Sequence, residues 1–177
     1  AVGGAQMSLT QQDLLNKVRH HALDLQLSAA GDGVRNEGFW GMNAVNGRQY
    51  KLSFFAKSDK GFDGTLKASL ITASGKVLGS ASVKVNAKAQ WAKYTATITV
   101  KGDDPKAQFA LTADKAGQLQ LDVISLFPPT FKNRPNGMRP DLAQMLADMH
   151  PRFMRFPGGC FVEGQNSPDN AFRWERT

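Results

Sequence analysis

The residues best suited to chemistry lie in Arg152-Phe153-Met154-Arg155-Phe156-Pro157-Gly158-Gly159-Cys160-Phe161-Val162-Glu163-Gly164. The apolar residues around Arg155 read as a short buried strand, which Pro157 with Gly158 and Gly159 stops in a loop. Glycines lack a Cβ and let backbone or ligand approach closely. Arg155 is thereby presented at a strand end, where a barrel enzyme keeps its catalytic groups. Cys160 is the single cysteine of the sequence, which rules out an internal disulfide framework and a multi-cysteine zinc site. It reads as a small buried hydrophobe or, from its place in the glycine loop, as a pocket thiol. The sequence stops 13 residues after Gly164, so most of any site that Arg155 serves is expected beyond Thr177.

The elements that must position these groups fall into two kinds. Up to residue 127, apolar residues alternate with polar ones at period two, which predicts strands. The runs are Ala5-Met7-Leu9, Leu23-Leu25-Leu27, Phe39 to Met42, Tyr50-Leu52-Phe54-Ala56, Leu66-Ala68-Leu70, Val83-Val85, Tyr94-Ala96-Ile98-Val100, Phe109-Leu111-Ala113 and Leu119-Leu121-Val123. Turns are expected at Asn46-Gly47, Asp63-Gly64, Ser74-Gly75, Lys101 to Pro105 and Ala116-Gly117. About nine short strands with no helix between them predict a mainly β domain, two antiparallel sheets packed as a jelly-roll sandwich over residues 1–127. Prolines break the alternation over 128–137, which reads as a linker. Beyond it Pro140 and Asp141 suit a first helical turn, and Leu142, Met145, Leu146 and Met149 fall on one helix face that Pro151 ends. Helix followed by buried strand is the grammar of a (β/α)8 barrel, whose start, incomplete, is expected over 138–177.

Composition excludes several function classes. The net charge of +7 invites a nucleic-acid partner. Its lysines, however (Lys51, Lys57, Lys67, Lys84, Lys93), alternate with apolar residues along the expected strands and describe the solvated outer face of a sheet. Neither a nucleic-acid nor a membrane partner is expected, since no apolar run approaches the roughly 20 residues of a bilayer span. The first 30 residues lack the layout of a secretion signal. Localisation stays open, with bacterial secretion or the periplasm favoured. The basic residues also change kind: 12 of 15 are Lys through residue 124, whereas six of the remaining seven are Arg. Arginine's fork suits carboxylates and hydroxyls.

The segments Leu121 to Phe127, Thr130-Phe131-Lys132-Asn133-Arg134-Pro135-Asn136-Gly137-Met138-Arg139, Asp141-Leu142-Ala143 and Pro151 to Cys160 closely resemble glycoside hydrolase family 51 α-L-arabinofuranosidases. The branch is the one with a carbohydrate-binding-module-like sandwich ahead of the catalytic barrel, and Asn36-Glu37-Gly38-Phe39-Trp40-Gly41-Met42 looks like that sandwich. The resemblance implies removal of terminal arabinofuranosyl groups from arabinoxylan or arabinan with retention of configuration. It implies two glutamates about 5–5.5 Å apart, as nucleophile and acid/base, on later barrel strands beyond Thr177. It implies that Arg155 supports the nucleophile's carboxylate and that Cys160, with Gly158 and Gly159, lines the sugar subsite. Many relatives have asparagine at the Cys160 position. Glu163 lacks a partner carboxylate and is not expected to be catalytic.

The sandwich itself offers further candidates. Phe39, Trp40 and Trp91 are aromatic faces on which sugar rings could stack, with Trp40, among glycines, the best placed. Tyr94 points inward by its alternation and is read as core. Asp122 has two readings, ligand of a structural calcium ion as in related modules or hydrogen-bonded edge aspartate. No cofactor is expected for catalysis. His20 and His21 are read as surface residues, and His150 as a cap on the last helical carbonyls. Three readings of the whole remain: the N-terminal portion of an arabinofuranosidase, inactive alone; a stand-alone carbohydrate-binding module; and a brace that binds no sugar. Under each, the apolar helix face must meet the sandwich, a second copy or the remainder of the catalytic domain.

Overall fold

Alternating apolar residues do form strands in the computed structural model, which describes residues 1–153. The strands are β1 (Gln6–Thr10), β2 (Ala22–Leu27), β3 (Gly33–Asn36), β4 (Met42–Ala44), β5 (Gln49–Lys57), β6 (Phe62–Ile71), β7 (Val77–Ala87), β8 (Ala92–Thr99), β9 (Asp104–Ala113) and β10 (Gly117–Phe127). They make two antiparallel sheets. One has the order β1-β2-β10-β5-β8; the other runs β3-β9-β6-β7, with β4 also paired to β9. Inner-face residues of both sheets form one core. Leu25, Leu52, Phe54, Ile98, Leu119 and Leu121 come from the first sheet, and Leu66, Leu70, Val85 and Leu111 from the second. Tyr94 joins this core as expected, its ring stacked on Phe54 at 5.5 Å and its hydroxyl donating to Asn86 O at 2.9 Å.

The strand expectations fail where tertiary context overrides alternation. The run Phe39 to Met42 is no strand before Met42: residues 38–40 form a turn between β3 and β4, and β3 itself, Gly33 to Asn36, escaped the pattern. Gly33 is bound there by space, since a Cβ on it would lie 2.1 Å from Leu111 O on β9. The turn expected at Asp63-Gly64 lies inside β6; the chain reverses earlier, around Gly61 at φ +75°. Met7 and Leu9 are exposed, because β1 is the edge strand of its sheet. Val123 is exposed as well. Asp122 pairs with Phe55 and Ser125 with Ser53, so β10 carries one residue more than β5 there, a bulge that turns Val123 out at φ +47°.

The chain divides into two compact units, Ala1–Pro129 and a second starting at Thr130. In the second, a short 3-10 turn (Phe131–Asn133) is closed by the Phe131 N–H donating to Met138 O at 2.9 Å, and Thr130 Oγ1 donates to Arg134 O at 2.6 Å. Helix α1 (Pro140–Asp148) follows, with Pro140 and Asp141 in its first turn. Asp141 accepts two hydrogen bonds from Arg139, which hold its carboxyl down at about 2. His150 Nδ1 donates to Asp148 O at 2.6 Å, the capping role expected of it.

Candidate functional site

Period two also decides which side chains sit on the outer face of the first sheet. The register places Ser8 beside Asp24, Asp24 beside Gln120 and Gln120 beside Lys57; a second row joins Asp122 and Phe55 to Lys93. Such a row ought to be solvated, and Lys51, Lys67, Lys84 and Lys93 are indeed exposed. Lys57 is not: its side chain is 2% exposed, although its position matches the solvated-lysine pattern. Gln120 and Asp122 are buried beside it.

The cause is the connection between β1 and β2, residues 11–21, which crosses this face. Asp13 Oδ2 stands 3.7 Å from Lys57 Nζ, and Asp59 Oδ1 at 3.3 Å. The Trp91 indole N–H donates to Asp13 O at 2.8 Å, while Lys57 Nζ lies 5.9 Å from the Trp91 ring centre. Arg19 reaches Asp122 with both prongs of its fork, Nη2 to Oδ1 at 2.6 Å and Nε to Oδ2 at 3.1 Å, and Asp122 raises the guanidinium's pKa further. The Val123 N–H also donates to Asp122 Oδ1, at 2.7 Å.

These contacts involve two residues singled out from the sequence. Trp91, read as a stacking ring, holds the crossing loop through its N–H and has Lys57 Nζ over its ring. Asp122, read as a calcium ligand or a hydrogen-bonded edge aspartate, accepts hydrogen bonds from Arg19 and from the Val123 N–H, on a strand inside its sheet. Among the described residues no three His, Cys, Asp or Glu side chains gather around one point. His20 and His21 are surface residues, as read from the sequence. Arg155, Gly158, Gly159, Cys160 and Glu163 lie outside the described residues.

Phe39 and Trp40 sit on the β3–β4 turn, at the other sheet. They are 88% and 84% exposed, with ring centres 4.6 Å apart and planes inclined at 53°. The turn is built to present them. Gly38 N–H donates to Asn36 Oδ1 at 2.7 Å, and Gly41 takes φ +90° with its Cα against Lys106, where a Cβ would come within 2.4 Å of Lys106 Cα. Two adjacent, solvent-facing aromatic rings on a braced loop offer an apolar surface to a ligand.

Sequence reasoning found this pair but missed Lys57, Gln120 and Arg19. The period-two parity carried the signal that Lys57, Gln120 and Asp122 share a face. Nothing local said that Asp13 and Arg19 would fold across it.

The first unit is similar to the CBM22-1 xylan-binding domain of a Paenibacillus barcinonensis protein, with a TM-score of 0.52 at 14% identity over 72% of this chain and 84% of that one, a likeness of fold alone. No family model matches the chain. Sequence relatives are more specific. The α-L-arabinofuranosidase 1 of Arabidopsis thaliana is 40% identical over 152 residues, 84% of this chain and 22% of that protein. The extracellular exo-α-L-arabinofuranosidase of Streptomyces chartreusis is 37% identical over 166 residues, 92% of this chain and 19% of that protein. An arabinose-bound GH51 α-L-arabinofuranosidase superposes with a TM-score of 0.83 at 32% identity, covering 98% of this chain and 30% of that one. The chain is homologous to the N-terminal portion of family 51 α-L-arabinofuranosidases, and it spans about a fifth of the length of the first relatives it matches.

Proposed function

We propose that this chain is the non-catalytic N-terminal portion of an α-L-arabinofuranosidase that, as a whole, removes terminal arabinofuranosyl groups from arabinoxylan or arabinan with retention of configuration. The observation that carries the reading is the match to the arabinose-bound GH51 structure over 98% of this chain. The sandwich stands ahead of a catalytic barrel that begins in the second unit. The nucleophile and acid/base glutamates belong to later barrel strands, and Arg155 supports the nucleophile, keeping its carboxylate ionised and oriented. Cys160, Gly158 and Gly159 line the arabinose subsite. The sandwich either braces the barrel or holds polysaccharide.

An aryl α-L-arabinofuranoside tests this reading on two proteins, the 177-residue chain and a chain extended to the length of its relatives. The extended protein is expected to hydrolyse it, with the retained anomer as first product by NMR, and the 177 residues are expected to show no turnover. Hydrolysis by the 177 residues, or inversion by the longer protein, overturns the reading. The exposed Phe39–Trp40 pair favours polysaccharide holding over bracing alone. Retardation of the chain in an arabinoxylan gel, lost in Trp40→Ala, is the expected result; unretarded migration of the parent chain leaves only the brace.

A further inference from the structure

Toward its β1 edge, the outer face of the first sheet leaves part of itself uncovered by the crossing loop, as a groove of about 560 Å³. That volume is within the roughly 300–1,000 Å³ of small-molecule clefts. Ser8, Leu9, Thr10, Asp24, Gln118 and Gln120 are among the residues that line it. The register explains the convergence: Ser8, Asp24 and Gln120 are successive cross-strand neighbours on one face, and Gln118 lies one step along β10.

The groove is rich in acceptors without partners. Gln120 is 8% exposed, and its Oε1 is buried without a hydrogen bond; the Oε1 of Gln118 is in the same condition. The orientation of the Gln118 amide is set, because its Nε2 donates to Asp24 Oδ1. Asp24 Oδ2 accepts from Gln26 Nε2 at 3.0 Å, which leaves further lone pairs on both carboxylate oxygens. A buried polar atom without a partner costs about 1–3 kcal/mol, so an arrangement of this kind calls for a donor from outside. Among the described residues no Lys or Arg lines the groove, so its side chains offer an anion no charge partner. A single carboxylate falls short of the six to eight oxygens that calcium takes. A neutral molecule with several O–H donors fits best.

We propose that this groove is a saccharide-binding site in which sugar hydroxyls donate to Gln118, Gln120 and Asp24. It is a different surface from the Phe39–Trp40 turn, which belongs to the other sheet. It does not depend on the arabinofuranosidase reading, which the hydrolysis assay judges separately. NMR of the 177-residue chain tests it, with neutral arabinoxylo-oligosaccharides and calcium chloride as separate probes. The oligosaccharides are expected to shift the side-chain amide signals of Gln118 and Gln120. Gln120→Leu is expected to weaken that binding about tenfold or more, and Trp40→Ala to leave the amide shifts unchanged. Gln118→Leu serves as the second variant if Gln120→Leu does not fold. The proposal is overturned if the amides stay unmoved at roughly 10 mM oligosaccharide, well above a millimolar Kd. It is overturned equally if calcium alone moves them, if folded Gln variants bind as the parent does, or if Trp40→Ala abolishes the shifts.

Discussion

Phe54 and Met145 are both large apolar side chains on regularly patterned elements, yet Phe54 is fully buried and Met145 is 66% exposed. The contrast extends to their units. Each sheet of the sandwich covers the apolar face of the other, and Leu52, Leu70, Ile98 and Leu121 are sealed in one cluster. On α1 the pattern is equally regular, but Leu142, Met145, Leu146 and Met149 all stay substantially exposed, and only Ala143 is buried. The first unit satisfies its own hydrophobic pattern. The second carries a pattern whose cover is not among the described residues, which is what a barrel start requires under the proposed function.

Substitutions sharpen or break this comparison. The largest effect is expected in the core. Phe54→Ala empties a fully buried site and should cost about 3–5 kcal/mol in a urea titration. A loss below about 1 kcal/mol would mean that the sandwich core is far looser than its burial indicates. Next comes Gly41→Ala, which meets both a left-handed φ and the Lys106 backbone, and should cost about 1–3 kcal/mol. Gly47→Ala also has positive φ but nothing within 4 Å, so it should cost less; the reverse order would remove the packing argument for the Phe39–Trp40 turn.

A pH-dependent effect separates the units by charge. Asp32 has its carboxyl pKa lowered to about 2, first by the Ser28 hydroxyl and then by the N–H groups of Gly4 and Ser28, which join the N-terminal segment to the β2–β3 turn. A depressed folded-state pKa stabilises the fold fully above the ordinary carboxylate value of about 3.9. That contribution disappears as pH falls through about 2. Asp32→Asn should therefore lower Tm at pH 6, with the gap to the parent closing as the pH is brought toward 2. A gap that widens on acidification would contradict the hydrogen-bond assignment. Asp141, held at about 2 by Arg139 in the second unit, should leave the melting of the sandwich unmoved when changed to Asn. The smallest effect is expected for Met145→Ala, within about 0.5 kcal/mol of the parent. A core-sized loss there would show that α1 is already packed.

Much of the fold was legible from local pattern. Tyr50-Leu52-Phe54-Ala56 and Leu66-Ala68-Leu70 alternate because one face of each strand must be dry, and both turned out as read. Val123 misled, since a bulge is a mismatch between two strands and β10 alone does not display it. Phe39 and Trp40 also misled as strand, although their aromatic and glycine neighbours marked them as a surface of interest. Lys57 shows the limit most clearly. Alternation placed it on the outer face correctly, and a charged side chain there should be wet.

The sequence alone therefore determined the sandwich class, the change of character after Phe127, the amphipathic helix and the family resemblance. All of these rest on period, punctuation or motif, which are properties of neighbours along the chain. Tertiary structure alone decided that the β1–β2 connection crosses the first sheet, pairing Arg19 with Asp122 across 103 positions and closing over Lys57. It also decided that Ser8, Asp24, Gln118 and Gln120 share one groove. Such convergence depends on strand order and register, which are fixed by how two sheets bury their apolar faces together rather than by any local run of residues.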